Sequence, residues 1–535
     1  MRLGRRRPLA RALVLLPALA GVAPVAQAEA WRLTGSNTLR LETYHASGDE
    51  DKSPYADRGT FYVNDLNLSL SGDSAPGKSW RIDFAGALTD SPYRSKFGGF
   101  VPEVVRISHE NRNATLPFRI DLGDQEVALS PMTMQRYLKA GRITLQPDSY
   151  RDGRKYSVTA FIGADQPHWR DFDASEDAYQ GLGLHMQDSK LGNYGLNIVR
   201  NSRDGGGPVE GSQWVASATG FKGFTLGSQQ LELSGELAYL RGEVSTAKGS
   251  ERREGHGLNL QLDGKHQSRP LDYRLRYDRY SRDFRSRGGN VPADNRAMAA
   301  EAGWNFDSGV QLRGRLQRIE DRVSSGNRLR TDAAGASVAG PLRKSRPQAA
   351  SGKLDLQVQR RGNARGTVKA RSVDVQAGVM LNHSDKHQTQ VDVGLTHIDD
   401  RTRADADRIS KRVAVTHRAK VSVKGLDLTL APGVAYQEAR SRRGEASFGP
   451  SLELEARKDN HRLTVQVGSS SFDAEDSTRS VDHERVSVGY EYRRGQHSFG
   501  ANIERSLRDP AEGESTESWR GGVYWRYDFD KTLSR

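Results

Sequence analysis

Leu258-Asn259-Leu260-Gln261-Leu262-Asp263 alternates apolar and polar residues without exception. Along an extended chain, side chains two apart share a face; along a helix the repeat is 3.6 residues. This stretch therefore reads as a strand with one oily face and one wet face. The pattern returns throughout the chain. Leu66, Leu68 and Leu70 alternate with Asn67, Ser69 and Ser71, and Trp80, Ile82 and Phe84 with Arg81, Asp83 and Ala85. Leu354, Leu356 and Val358 interleave with Asp355, Gln357 and Gln359, and Val391, Val393 and Leu395 with Asp392, Gly394 and Thr396. Leu426, Leu428 and Leu430 continue it, as do Val486, Val488, Tyr490 and Tyr492. One such run is a weak signal, but many at similar spacing predict an extensive antiparallel sheet.

Turn chemistry separates the runs. Breaks fall at Ser71-Gly72-Asp73, Leu191-Gly192-Asn193, Asp263-Gly264-Lys265 and Lys424-Gly425, while Lys458-Asp459-Asn460 and Arg494-Gly495-Gln496 suit tight hairpins. Longer polar stretches intervene from Ala46 to Arg58, Asn201 to Ser212, Arg282 to Asn295 and Asp509 to Glu517. Mean hydropathy is -0.72 and hydrophobic content 35%, values that taken alone suit a soluble or partly disordered chain. A transmembrane barrel reconciles them with the alternation, because only every second residue of a strand touches lipid. The expected fold is all-β, a single large antiparallel transmembrane β-barrel of about 24–26 strands. Short turns alternating with longer loops fit the periplasmic and extracellular ends of such a barrel.

The N-terminus fits this destination. Arg2, Arg5, Arg6, Arg7 and Arg11 form a basic region, an apolar stretch runs from Ala12 to Val25, and Ala26-Gln27-Ala28 offers a small-x-small cleavage pattern. Residues 1–28 are expected to be a secretory signal peptide, with 29–535 forming the barrel in the bacterial outer membrane. Removing the signal takes away five arginines and no acid, lowering the formal charge from +13 to about +8. With 0 Cys, nothing depends on a disulfide or a thiolate.

Near the C-terminus, Val523, Trp525, Tyr527 and Phe529 alternate with Tyr524, Arg526 and Asp528. This resembles the terminal strand of the bacterial outer-membrane β-barrel family, which implies recognition by the barrel-assembly machinery; here Lys531 to Arg535 extend beyond the aromatic. Outer-membrane lipids and lipopolysaccharide are then expected partners. Trp31, Trp80, Trp214 and Trp304 are candidates for interfacial girdles. A TonB-dependent receptor would resemble a plug followed by a wide barrel, whereas strand-like alternation here starts near Leu39. One segment departs from simple hairpins: Phe118 to Gln125 reads as a strand ending in a Gly-Asp turn, Ser130 to Leu138 lacks clean alternation, and Ala140 to Leu145 restarts a strand. It loosely resembles an arrangement in pilus-assembly ushers, whose barrels are large. An irregular, pore-gating segment is expected near 125–138.

Chemistry is sparse by comparison. No nucleophile motif surrounds any Ser or His, His483 stands isolated beside acids, and Asp399, Asp400, Asp405 and Asp407 are interleaved with arginines as in a solvated loop. No enzyme activity, cofactor or metal is expected, and an exported barrel argues against nucleic acid despite the basic Gln359 to Arg371. The wet face carries many cations. Arg274, Arg276 and Arg282 are read on one face with Asp272 and Asp278, Arg313 and Arg315 with Gln317, and Arg412, Arg418 and Lys420 opposite Val413, Val415 and Val421. As candidate pore-lining residues these eight would favour anionic solutes or polymers, although lumen acids such as Glu453 and Glu455 offer them partners. An unplugged barrel this wide would leak. The sequence thus points to an export or assembly channel working with a periplasmic component, ahead of an anion-selective porin or a non-transporting surface scaffold.

Overall fold

The computed structural model describes residues 30–55, 58–146, 154–203, 211–246, 249–402, 406–441, 444–475 and 477–533; the expected signal peptide and Asp405 lie outside them. The first strands are β1 (Ala30–Gly48), β2 (Gly59–Ala75), β3 (Lys78–Thr89), β4 (Gly99–Asn111), β5 (Phe118–Ser130), β6 (Met134–Leu145), β7 (Arg154–Ala164) and β8 (Ala178–Asp188). Next come β9 (Gly192–Arg203), β10 (Gly211–Leu226), β11 (Gln229–Thr246), β12 (Gly249–His266), β13 (Leu271–Tyr280), β14 (Asn295–Asn305), β15 (Gln311–Asp321), β16 (Leu329–Pro341) and β17 (Ala350–Asn363). The last are β18 (Lys369–Asn382), β19 (His387–Asp400), β20 (Arg408–Val423), β21 (Leu426–Arg440), β22 (Gly444–Lys458), β23 (His461–Ala474), β24 (Val481–Arg494), β25 (His497–Pro510) and β26 (Thr516–Leu533). Neighbours in sequence pair antiparallel, and β1 pairs β26 from Trp31↔Leu533 to Gly48↔Thr516, closing a 26-stranded ring.

The alternation sorts onto two faces. Leu237, Leu260, Leu275, Leu316, Leu356, Leu395, Val413 and Val523 all point outward and stay exposed in the isolated chain. So large an apolar surface is incompatible with water and marks a belt that meets lipid. The opposite face carries Gln261, Arg274, Gln357, Asp374 and Thr396, and looks into the lumen. Among the described residues no helix is long and apolar enough to cross a membrane. A closed barrel with an apolar outer belt and a polar interior defines an outer-membrane protein.

Connections differ at the two ends. Turns such as Pro76-Gly77, Lys424-Gly425 and Asp459-Asn460 sit at one rim, and residues 49–55, 165–177 and 281–294 stand at the other. By that asymmetry the turn side is periplasmic and the loop side extracellular. Lys424 and Gly425 have φ of 49° and 79°, the left-handed pair a two-residue hairpin needs. Two expected breaks are corrected. Gly72 and Gly264 lie inside β2 and β12, and the chain turns later, at Pro76-Gly77 and residues 267–270. Gly264 is there because Tyr273 lies across it: a Cβ would come 2.2 Å from the ring. Trp31, Trp80 and Trp304 occupy turn-side strand ends and Trp214 a loop-side end, where indoles suit the two interfaces.

The wall is interrupted once. Pairing of β4 with β5 stops at Arg106↔Gly123, and pairing of β6 with β7 starts at Lys139↔Ala164, yet β5 and β6 stay paired to Ser130↔Met134. Beyond Gly123 and Lys139 the β5–β6 hairpin leaves the ring and bends into the lumen. The irregular segment expected near 125–138 is a two-stranded ladder whose register shifts between Ala128 and Ser130, with a tip at Pro131-Met132-Thr133. Its pattern explains the bend. Leu122 and Ile143 face lipid, so continuing the wall would turn Asp124, Glu126, Gln135 and Lys139 outward and Val127, Leu129, Met134 and Leu138 inward. Lipid rejects that polarity; a hairpin laid against the inner wall satisfies it. Pro102, which offers no N–H, stands in the half of β4 that the hairpin leaves without a partner. Gly123 marks the branch point, with φ +97° and the Val105 carbonyl oxygen 1.8 Å from any added Cβ. Gly123→Ala is expected to lower barrel stability by at least about 2 kcal/mol, read as a fall in the heat-modifiability midpoint; an unchanged midpoint would mean the branch point adapts.

Candidate functional site: a hairpin folded into the pore

Two clamps hold the hairpin root. On the lumen side the buried Asp121 carboxylate accepts from Arg142 (2.7 Å), Arg119 (2.9 Å), Arg106 (3.3 Å) and the Ser108 hydroxyl (2.6 Å). On the other face, Lys139 Nζ donates to Asp124 at 2.7 Å, with side-chain exposures of only 3% and 4%. The Asp124 carboxylate also accepts from the Val105 backbone N–H (2.8 Å) and the Trp169 indole (2.5 Å), so it replaces the strand partner that β4 lacks. The Lys139 ammonium lies 4.7 Å from the Trp169 ring centre. Trp169 belongs to the loop between β7 and β8, and Arg170 beside it donates to the Gly98 carbonyl at 2.5 Å, tying that loop to the top of β4.

Further in, two apolar clusters press the hairpin against the inner wall. Val127, Met134 and Leu138 pack with Phe161, Tyr179 and Val199. Met132 at the tip packs with Val215, Ala238, Leu240, Tyr280 and Phe284. An apolar lining is out of place in a water-filled lumen and makes sense only under a cover. The tip is also hydrogen-bonded: Ser130 donates to Glu236 at 2.5 Å and lies 3.2 Å from the Ser217 hydroxyl, and the Met132 N–H reaches Glu236 at 3.3 Å. The loop 281–294 folds inward over it, with Gln135 N–H on the Gly288 carbonyl (2.8 Å) and Asn290 N–H on the Pro131 carbonyl (3.0 Å). Gly288 and Gly289 are required by contact, since a Cβ on either would stand 2.5 Å from a tip carbonyl oxygen. At the rim, burial lowers the Arg287 guanidinium and raises Asp165, which lies 3.7 Å from Arg136 of the hairpin.

The eight cations expected to line the pore divide into three groups. Arg274, Arg276 and Arg315 face the lumen and are paired, with Asp263 (2.6 Å), Asp278 (2.7 Å) and Glu301 (3.3 Å). Arg313, Arg412, Arg418 and Lys420 share the lumen face of their strands and make no ion pair among the described residues. Arg282 is corrected: β13 ends at Tyr280, so Arg282 stands in the 281–294 loop and not on the Arg274 face. Glu455 is engaged by Arg462 at 2.9 Å and by Arg457. Among the described residues no group of three His, Asp or Glu is placed to hold a metal. Sequence reading missed Glu236, Phe284 and the Gly288-Gly289 seat. Leu240 and Tyr280, apolar on the polar face of their strands, were the available signal.

No known family profile matches the sequence, and no curated protein matches it. Among solved structures, the outer membrane transporter YddB from Escherichia coli aligns over 92% of this chain and 81% of its own, at 9% identity and TM-score 0.43. The P pilus usher translocation pore aligns over 93% and 99%, at 11% identity and TM-score 0.32. Pseudomonas aeruginosa OccK2, solved with glucuronate, covers 69% of this chain and 98% of its own, at 9% identity and TM-score 0.34. The barrel class rests on this chain's own strand pairing and outer belt.

Proposed function

We propose that the protein is an outer-membrane channel for export or assembly of a polymer, with the β5–β6 hairpin as its gate and a periplasmic component as its partner. The observation that carries this is the hairpin pinned inside the lumen by a dedicated apolar seat. Size supports it. With strands about 4.8 Å apart and tilted about 40°, a circular ring of this strand number is roughly 50 Å across its backbone. A hairpin and one loop cover only part of such an opening, which is why a partner is required. The turn between β16 and β17 carries Arg343, Lys344 and Arg346 and no acid, and suits an acidic face on that partner. The unpaired Arg313, Arg412, Arg418 and Lys420 favour a second reading, a porin for anionic solutes; it requires anion selectivity with the hairpin immobile. Because the chain has 0 Cys, the two separate cleanly. Ser130→Cys with Ser217→Cys, whose hydroxyls are 3.2 Å apart, locks the tip to the wall when oxidised. A gate predicts low conductance that rises several-fold on reduction in single-channel recordings. Equal conductance in both redox states would sink the gating role.

A further inference from the structure

The outer surface carries a feature the channel does not use. On the loop side, the outward faces of β9 to β20 end in a row of cations. Arg200 follows Ile198, Arg241 follows Tyr239, Arg279 follows Tyr277 and Arg360 follows Val358, each two residues on, while Arg371 and Lys411 precede Val373 and Val413 by the same step. Strand register makes them neighbours. Arg200 and Arg241 both stand opposite Trp214, with the Arg200 guanidinium 5.6 Å from its ring centre; Arg279 stands opposite Arg296, and Arg360 opposite Arg371.

Like charges directly opposed across an antiparallel pair repel. Arg241, Arg279, Arg360, Arg371 and Lys411 make no ion pair among the described residues. The acids opposite Arg241, Arg371 and Lys411 are already taken, Glu254 by Arg252, Asp399 by Arg401 at 3.5 Å and Glu438 by Arg440. At the loop-side ends of β24 and β26 the outward positions carry Asp482, Glu484 and Glu517 instead. The cations therefore form a row in one sector, immediately above its apolar belt, where the acids that face them, Glu254, Asp399 and Glu438, each already hold another arginine.

We infer that this strip binds the phosphorylated glycolipid of the outer leaflet, lipopolysaccharide, with acyl chains on the Leu/Ile/Val belt and phosphates on the arginines. The match is in the order of chemistry along each strand: apolar, aromatic or β-branched, then guanidinium. A guanidinium fork suits a phosphate, and no soluble anion needs the belt beneath it. The inference rests on the loop side facing outward and is independent of the gating reading.

The test uses the full purified chain in neutral detergent, probed with lipopolysaccharide, its dephosphorylated form and phosphatidylglycerol. Lipopolysaccharide is expected to bind and raise the heat-modifiability midpoint, and the other two to bind at least tenfold more weakly. Arg360→Gln with Arg371→Gln should weaken lipopolysaccharide binding about tenfold or more, yet raise the midpoint in lipid-free detergent because the repulsion is gone. Lys78→Gln, on the turn side, should change neither. Equal binding of phosphatidylglycerol would overturn the glycolipid assignment and leave a generic anion surface. A double variant that binds normally, or that loses stability with and without lipid, would overturn the site.

Discussion

Replacing residues 125–138 with Asn-Gly is expected to give a folded barrel with a larger and steadier single-channel conductance than the native chain. Asp124 and Lys139 are direct partners in the β5–β6 register, so a two-residue left-handed turn closes the shortened hairpin at the height where the wall ends. The salt bridge between them survives, as does the Trp169 indole on Asp124. What disappears is the cover over Phe161, Tyr179, Val199, Val215 and Leu240, which become lumen surface. The variant should therefore also bind apolar dyes. Unchanged conductance in a folded variant would place the channel's resistance in the 281–294 loop or in a partner.

The second large effect is on stability. Lys139→Ala leaves the Asp124 carboxylate buried without its cation, and breaking a buried pair from one side costs about 3–5 kcal/mol. Adding Asp124→Ala should recover part of that loss, since an apolar pair at this position carries no stranded charge. Heat-modifiability midpoints of the two single variants and the double variant measure it. If the double variant is the least stable of the three, the pair contributes net stability and the branch point needs both charges.

Much of the barrel was legible because its lipid face is written residue by residue. Leu258, Leu260 and Leu262 declare their side without any knowledge of partners. Turns were less legible. Gly264 reads as a break from local sequence, and only the cross-strand Tyr273 shows why a glycine sits inside β12. The hairpin was legible in extent but not in form. Its alternation is inverted relative to the wall and interrupted by a register shift between Ala128 and Ser130, and a window spanning both halves sees the two phases cancel. Of the eight candidate cations, Arg282 fell past a strand end that local sequence does not mark. Ion pairing was beyond reach, because Asp263 meets Arg274 across a turn and Glu301 meets Arg315 across another.

The seam between β1 and β26 sets the order of assembly. The ring's other neighbouring pairs join strands adjacent in the sequence, so a meander zips up through short-range closures that cost little chain entropy. The seam joins Arg32 to Asp530, 498 residues apart. Until it forms, the nascent sheet has two raw borders, each a row of unsatisfied amides and carbonyls able to capture another chain. The chain's long-range entropy cost and its exposure to aggregation are concentrated in that one step, so chaperoning is needed most just before closure.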